Sequence, residues 1–333
     1  MKLRLPVLIK PSTRAWLREA RETKDYSLFD MLHGYIYGRF PYLYIGVGTG
    51  RHPLAKRFAP LATHIINLFT PHKHNQVDTV PTDEIPPGAM PNITPGGMQF
   101  AHTYHGKVMP LETARQLVSI RQEIRVADLE KVIPYNRARS IVLKNPDHIV
   151  ALECPCRAAR ENPCLPMDVC LIVGEPFAGF IAEHQPKRAR WITAQEAADI
   201  LKAENERGHV HHAFFKDAML GRFYAICNCC ECCCGAMQAH RSGTPMLTAS
   251  GYRAEVDQDL CIGCGTCEGV CQFHAITLDE NGGGLVARID RELCMGCGVC
   301  ANHCPQEGIS LVRDAARGEP LEILALMDQA AAQ

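Results

Sequence analysis

The chain has 333 residues, 18 of them cysteine, with 35 Lys or Arg against 36 Asp or Glu. So even a charge balance excludes a general binder of nucleic acid or acidic polymers, and a 47% hydrophobic composition excludes a disordered chain and leaves material for a core in two or three domains. No apolar run reaches the roughly 18 residues of a spanning helix, and the start around Lys2, Arg4 and Lys10 lacks the apolar segment and cleavage site of a secretory leader, so a cytoplasmic protein without a transmembrane span is expected.

Residues 1–147 read as a first region. The first 60 residues carry 11 basic and four acidic side chains and nine of the 22 aromatic ones. Tyr35, Tyr37, Phe40, Tyr42 and Tyr44 sit near alternate positions, the period of a half-buried strand, punctuated by Gly34, Gly38 and Pro41. These rings are expected to pack a small core rather than face a membrane or a quinone, although peripheral membrane contact stays open. The run Gly46-Val47-Gly48-Thr49-Gly50 places Arg51 where a dinucleotide loop needs its third glycine, and no phosphate loop or Gly-x-Ser-x-Gly elbow occurs. From Pro71 to Gly97, Pro and Gly are dense and periodicity is lost, which predicts an irregular segment. Leu111, Ala114, Leu117, Val118, Ile124 and Leu129 then predict one amphipathic helix from Leu111 to Val132, closed by Pro134.

Residues 148–248 read as a mixed α/β region rich in cysteine. Ile149 to Leu152 and Val169 to Val173 predict short buried strands; Cys154 and Cys156 follow the first, and Cys170 lies in the second. Thr193 with Glu196 is a capping-box pattern, Ala197, Ile200 and Leu201 follow at helical spacing, and Gly208 supplies a stop, so a helix is expected at 194–207. No cysteine precedes Cys154 or follows Cys304. In a reducing compartment such crowding argues against disulfides and for thiolates that hold metal.

Residues 249–313 contain an internal repeat with an offset of 33 residues: Ala254 maps to Ala287, Asp257 to Asp290, Leu260 to Leu293, Ile276 to Ile309 and Leu278 to Leu311. Each copy predicts a strand, a cysteine-bearing turn with a short helix, and a second strand, with a turn at Asn281 to Gly284 between them. The first copy reads Cys261-x2-Cys264-x2-Cys267-x3-Cys271 and the second Cys294-x2-Cys297-x2-Cys300-x3-Cys304-Pro305. Three thiolates at this spacing can wrap three corners of an iron–sulfur cube, with Gly263, Gly265, Gly296 and Gly298 free to turn the intervening amides. In this pattern the fourth cysteine serves the other cluster, which assigns Cys261, Cys264, Cys267 and Cys304 to one 4Fe-4S cluster and Cys294, Cys297, Cys300 and Cys271 to a second.

The run resembles the bacterial two-cluster ferredoxin domain, and the chain as a whole looks like multi-cluster iron–sulfur proteins of anaerobic bacteria. The resemblance, which covers about residues 251 to 313, implies a ferredoxin-like, pseudo-twofold unit of two paired βαβ-like halves with two low-potential 4Fe-4S clusters; placed after the mixed α/β cysteine-rich domain it gives an expected α+β architecture, and 314–333 is expected to be a helical tail. The resemblance also implies electron transfer between a redox donor and a redox acceptor. One departure is Gln272, where the family usually carries Pro. Four Arg and no Lys face nine acidic residues in 251–313, a charge opposite to that of the N-terminal 60 residues, so either self-docking or steering to a basic partner is open.

Ten cysteines remain: Cys154, Cys156, Cys164, Cys170, Cys227, Cys229, Cys230, Cys232, Cys233 and Cys234. They are candidate ligands of an additional iron–sulfur cluster or zinc, with buried metal-free thiols as the plain alternative. Neighbouring thiolates of one loop cannot all reach one metal, so some of Cys229 to Cys234 must face elsewhere. Cys233-Cys234-Gly235 is similar to the cysteine-pair-glycine motif of heterodisulfide-reductase-type subunits, but the companion spacing is missing. Arg157 beside Cys156 could serve a cluster sulfur or an anion, against the plainer reading of a surface salt bridge. His72 and His74, His102 and His105, and His209, His211 and His212 are groups able to bind iron or move protons, though most histidines serve as hydrogen-bonders. Two functions stay open: an electron-transfer protein, or a reductase whose middle cysteines form the catalytic centre.

Overall fold

The structure, a computed structural model, describes residues 9–53, 55, 85–90, 92–127, 129–281 and 284–331. Lys2, Arg4, His72, His74 and most of the segment from Pro71 to Gly97 lie outside the described residues.

Three helices open the fold, α1 (Pro11–Glu22), α2 (Leu28–Arg39) and α3 (Pro41–Gly48), so the strand expected at Tyr35 to Tyr44 is helical. Local chemistry explains the reversal. Ser27 Oγ accepts from the Asp30 N–H and Asp30 Oδ2 accepts from the Ser27 N–H, each at 3.1 Å, which closes a capping box, and Pro41 occupies the first turn of α3. Of the expected core rings, Tyr35 and Tyr37 pack against the main core, whereas Phe40 is 46% exposed. Tyr37 meets Tyr44 edge-on at 5.0 Å, and the Tyr42 hydroxyl donates to Glu153 O at 2.9 Å. The opposite face is apolar and exposed, with Leu28 77% and Phe29 74% accessible and Leu32 and Ile36 beside them. Trp16 of α1 packs at 4.7 Å on Phe180, which belongs to the helix α7 defined below.

Next come α4 (Pro95–Thr103), β1 (Tyr104–Met109), α5 (Leu111–Val118), β2 (Ile124–Val126) and β3 (Ile141–Leu152). The helix expected over Leu111 to Val132 stops at Val118, because Ile124, Arg125 and Val126 pair with Leu143, Val142 and Ile141 in an antiparallel ladder. Tertiary pairing overrides the helical spacing there. The expected short strand at Ile149 to Leu152 is the end of the 12-residue β3, and the 147/148 division falls inside that strand.

The rest of the layer is α6 (Pro155–Ala158), β4 (Cys170–Glu175), α7 (Phe177–His184), β5 (Ala189–Ile192), α8 (Ala194–Glu206), β6 (Val210–Lys216), β7 (Arg222–Cys229), α9 (Gly235–Arg241) and β8 (Leu247–Thr248). One eight-stranded sheet runs β2-β3-β4-β7-β6-β1-β8, with β5 added to β3; its pairs are antiparallel except β1 with β8. The central strands carry almost no exposed position, so burial does not alternate along them, and β6 and β7 bury His211, His212, Lys216, Arg222 and Asn228 among their apolar residues. The capping signal of α8 holds in half: Thr193 Oγ1 accepts from the Glu196 N–H at 3.1 Å, while the Glu196 carboxylate turns to Arg190.

The C-terminal unit comprises β9 (Tyr252–Val256), α10 (Thr266–Val270), β10 (Ile276–Asn281), β11 (Gly284–Ile289), α11 (Val299–His303) and β12 (Ile309–Arg313), and α12 (Ile323–Ala331) ends the described chain. Strand pairing exchanges between the two copies of the repeat. Ala254 faces Leu311 in β9–β12, and the residues 33 further and 33 earlier, Ala287 and Leu278, face each other in β10–β11. The architecture is a mixed helix-and-sheet α+β fold. A small core of Ala254, Ala275, Ile276, Ala287 and Ile309 surrounds the cysteines, while Met295 and Val299 join the main core of the sheet. No helix among the described residues is long and apolar enough to cross a membrane.

Candidate metal centres

Cys261, Cys264, Cys267 and Cys304 line one small cavity, closed by Val256, Leu278 and Ile309. Its wall requires glycine. A Cβ on Gly263, whose φ is +64°, would stand 2.1 Å from Leu285 O, and one on Gly296, φ +65°, would stand 2.1 Å from Tyr252 O, so each turn lies against the first strand of the other copy. That strand also supplies a donor: Ala287 N–H points at Cys261 Sγ and Ala254 N–H at Cys294 Sγ, each at 3.4 Å. Such N–H···S bonds favour a thiolate, the form that ligates metal.

The other four C-terminal cysteines are drawn together in the interior. Burial lifts the Cys297 thiol well above its ordinary value, and Cys300, Cys271 and Cys294 add to the effect. Cys300 is pushed up to about 12, by burial first and then by Cys294 and Cys271. Thiols such as Cys297 and Cys300, held in the protonated form by burial, must exchange protons for metal. The two quartets differ in setting: Cys264 is exposed and Ile262 beside it is 63% accessible, whereas Cys297 packs against the main core.

The ten middle cysteines divide in two. Cys154 and Cys156 sit at the end of β3 and on α6, Cys170 starts β4, Cys227 and Cys229 end β7, and Cys234 caps α9. Their thiols interact in a ring: Cys227 with Cys170 at 3.9 Å, then Cys170 with Cys154, Cys154 with Cys156, Cys156 with Cys234, and Cys234 with Cys229, which again feels Cys227. The remaining four, Cys164, Cys230, Cys232 and Cys233, form a separate group whose sulfurs all lie within 4.8 Å of one another. The loop cysteines therefore face two ways.

The ring borders a cavity of about 200 Å³ whose other walls are mostly aromatic and aliphatic, including Phe100, Phe214, Ile172 and Met246, with Arg157, Asn228, Cys230 and Cys233 also reaching it. Three tyrosine hydroxyls meet at its edge: Tyr37 with Tyr224 at 2.8 Å, Tyr37 with Tyr104 at 3.2 Å, and Tyr224 with Tyr104 at 3.3 Å. Burial raises the pKa of all three, so they stay protonated. Lys216 Nζ lies 4.3 Å from the Tyr104 ring centroid. The sequence reading missed this triad, because its members come from α2, β1 and β7.

Arg157 is buried, so the surface salt bridge expected of it is instead an internal clamp. Its guanidinium donates to Glu204 Oε2 at 2.5 Å, to Asn228 O at 3.3 Å and to Pro166 O. Asn228 lies between Cys227 and Cys229, and Pro166 lies two residues after Cys164, so this clamp ties three cysteine-bearing segments together. Among the histidines, His209 Nδ1 lies 2.7 Å from Glu204 Oε2, His105 lies between Ala101 O and Ala138 O, and His211 Nδ1 meets Asn228 Oδ1 at 2.6 Å. His102 accepts from the Asn136 N–H, and His212 is fully buried.

Gln272, the departure from the usual Pro, holds the seam between the regions. Its side-chain oxygen accepts from the Glu231 N–H at 2.9 Å, and its backbone oxygen accepts from Arg241 at 2.8 Å. Glu231 pairs in turn with Arg241 and, at 2.7 Å, with His274. Thus the residue after Cys271 is bonded to the residue between Cys230 and Cys232.

A family described as a 4Fe-4S dicluster domain matches residues 254–311. A ferredoxin of Pyrobaculum islandicum is 53% identical over 30 residues, which cover 9% of this chain and 28% of that protein. The chain thus spans well under a third of the length of the curated relative it matches. The C-terminal region is an iron–sulfur, 4Fe-4S-binding ferredoxin-like domain.

Proposed function

We propose that this chain is an electron-transfer protein carrying two 4Fe-4S clusters in a pseudo-twofold unit at 249–313. Cys261, Cys264, Cys267 and Cys304 hold the first, and Cys294, Cys297, Cys300 and Cys271 hold the second. Bound there, the clusters supply one-electron transfer, as ferredoxin-type centres generally do. The middle domain holds a further metal or iron–sulfur centre in the ring of Cys154, Cys156, Cys170, Cys227, Cys229 and Cys234. The observation that carries this reading is the seam at Gln272, which bonds the chain beside Cys271 to the loop of middle thiols. Exposure orders the sites. Cys264 lies at the surface where a redox partner can approach, Cys297 lies inside, and the ring borders the interior cavity. Eighteen free thiols suit a reducing, cytoplasmic setting.

The residues set the electronic environment. Ala254 and Ala287 donate N–H bonds to ligand sulfurs, and Ile276 and Ile309 exclude water. Oxygen-free purification should yield about eight irons per chain from the two C-terminal clusters and more from the ring, with matching sulfide and reducible EPR signals. A colourless, iron-poor chain would overturn the reading.

A second reading, a reductase whose catalytic centre is the middle ring, is favoured by one feature: the cavity of about 200 Å³ between the thiols and the tyrosine triad. Its apolar walls suit a small apolar substrate, and the protonated hydroxyls of Tyr37, Tyr104 and Tyr224 can donate to it. Cyanide, a probe of open iron coordination, would change the spectrum of the middle centre in a reductase and leave it unchanged in a carrier.

A further inference from the structure

The ten middle thiols do not form one site, and the four outside the ring have a geometry of their own. Cys232 Sγ lies 3.3 Å from both Cys164 Sγ and Cys230 Sγ and 3.7 Å from Cys233 Sγ, and Cys230 lies 3.7 Å from Cys164. We propose that Cys164, Cys230, Cys232 and Cys233 form a tetrathiolate site for a single divalent ion of the zinc class. The assignment deepens the proposed middle-region metal site by separating these four thiols from the ring.

Size makes the argument. A tetrahedral ion with metal–sulfur bonds of about 2.3 Å sets its ligand sulfurs about 3.8 Å apart; two of the four separations, at 3.7 Å, match that edge, and two, at 3.3 Å, are shorter. An iron–sulfur cube holds its cysteines at the outer corners of four irons, so their sulfurs stand further apart by the width of the cube. The C-terminal quartets provide the internal comparison. Among the described residues no other three ligand atoms crowd within 4.8 Å, neither in those quartets nor in the six-thiol ring. Tight spacing is therefore a property of this group and not of cysteines in this chain generally.

The backbone is arranged for it. Cys230, Cys232 and Cys233 lie on one turn, closed by the Cys234 N–H donating to Cys230 O at 2.9 Å. Cys229 and Cys234, on either side of the turn, interact with each other, and Cys234 with Cys156 of the ring, while Cys230 and Cys233 also reach the wall of the cavity that the ring borders. The surrounding charge fits as well. Four thiolates around a divalent ion carry a net double negative charge, and Arg51, beside Arg160, feels Cys233 of this group as well as Cys156 of the ring. Arg51 Nη1 and Arg160 Nε and Nη2 are buried without hydrogen-bond partners. Two neighbouring guanidiniums with spare donors are costly unless an anion balances them, and the loaded tetrathiolate supplies one. Cys232 is exposed, which gives the ion a way in.

The ion would pin Glu231, which sits between two of its ligands and holds Gln272, Arg241 and His274. The site is thus structural, and it fixes the loop on which the ferredoxin-like domain rests.

The test uses the full chain, produced without oxygen and with zinc supplied, and counts zinc, iron and sulfide in wild type, Cys232→Ser and Cys264→Ser. Wild type should hold about one zinc. Cys232→Ser should lose at least about nine-tenths of it with iron and sulfide unchanged, and Cys264→Ser should lose iron and sulfide with zinc unchanged. Should Cys232→Ser fail to fold, wild-type chain produced with cobalt(II) in place of zinc should show the absorption of a tetrahedral cobalt tetrathiolate. Loss of several irons with sulfide in Cys232→Ser, a single sulfide-free iron in the site, or a wild type without zinc and without the cobalt spectrum would each overturn the assignment. Failure of the electron-transfer reading looks different, as an iron-poor wild type in which the zinc count stands.

Discussion

The eight C-terminal cysteines and the ten middle cysteines solve the same problem by different means. In the C-terminal domain each set of three thiols is written within seven residues, and glycines such as Gly263 and Gly296 bring it against a strand of the other copy. In the middle region β3, α6, β4, β7 and α9 must first assemble before Cys154, Cys156, Cys170, Cys227, Cys229 and Cys234 meet. A locally encoded site tolerates distant damage, whereas an assembled one depends on whatever holds its segments in register.

The sharpest test of this contrast is Cys264→Ser. It should remove one whole C-terminal cluster, about four irons with their sulfide, and leave the spectrum of the other quartet and of the ring in place. Loss of every centre at once would show that the C-terminal sites are not independent of the middle ones. Next in size is Glu204→Gln, which leaves the Arg157 guanidinium buried without its carboxylate at 2.5 Å. Breaking one partner of a buried ion pair costs about 3–5 kcal/mol, so thermal unfolding should drop steeply, with metal lost from the middle region while the C-terminal signals persist. Gln272→Pro restores the residue usual in ferredoxins but removes the oxygen that accepts from Glu231. Iron content should hold, and electron exchange between the C-terminal and middle centres, read by freeze-quench EPR, should slow by about tenfold. An unchanged rate would mean that the seam does not matter for transfer.

The smallest effect concerns the scaffold. Burial lowers the pKa of His105 from 6.5 to about 3. Its folded-state value lies below the unfolded one, so the stability gained by keeping it neutral is complete above pH 6.5 and is lost as pH falls toward 3. His105→Gln should flatten that acid slope by at least about 1 kcal/mol between pH 7 and pH 5, measured by thermal unfolding, with no change in any cluster signal.

Several features were legible from residues alone. The 33-residue repeat, the strands flanking each cysteine run, the turn glycines and the start of α8 at Thr193 all depend on neighbours a few positions apart. The expectation that some cysteines of the Cys229 to Cys234 loop face elsewhere follows from steric crowding on one turn, and the structure groups Cys230, Cys232 and Cys233 with Cys164 while Cys229 and Cys234 interact with each other and with the ring. Other readings failed for a common reason. Alternating tyrosines suggested a strand, yet the Ser27–Asp30 box and Pro41 start helices, and a helix projects Tyr37 and Tyr44 inward while Leu28 and Leu32 stay outside. Ile124 continued a helical stripe, but it found a partner in Leu143. A surface salt bridge is the plainer reading of Arg157 from its neighbours, with Glu153 and Glu161 four residues to either side; Glu204, 47 positions away, draws it inside instead.

The amino-acid sequence by itself determined the ferredoxin-like domain, since thiol spacing and positive-φ glycines act within a single turn of chain. Only the tertiary structure decided how ten further thiols divide into a ring of six and a group of four, where the tyrosine hydroxyls converge, and what Gln272 touches. The physical reason is range. Turn and helix signals act over a few residues, whereas the side chains meeting at these sites lie on strands whose neighbours are chosen by burial across the whole sheet.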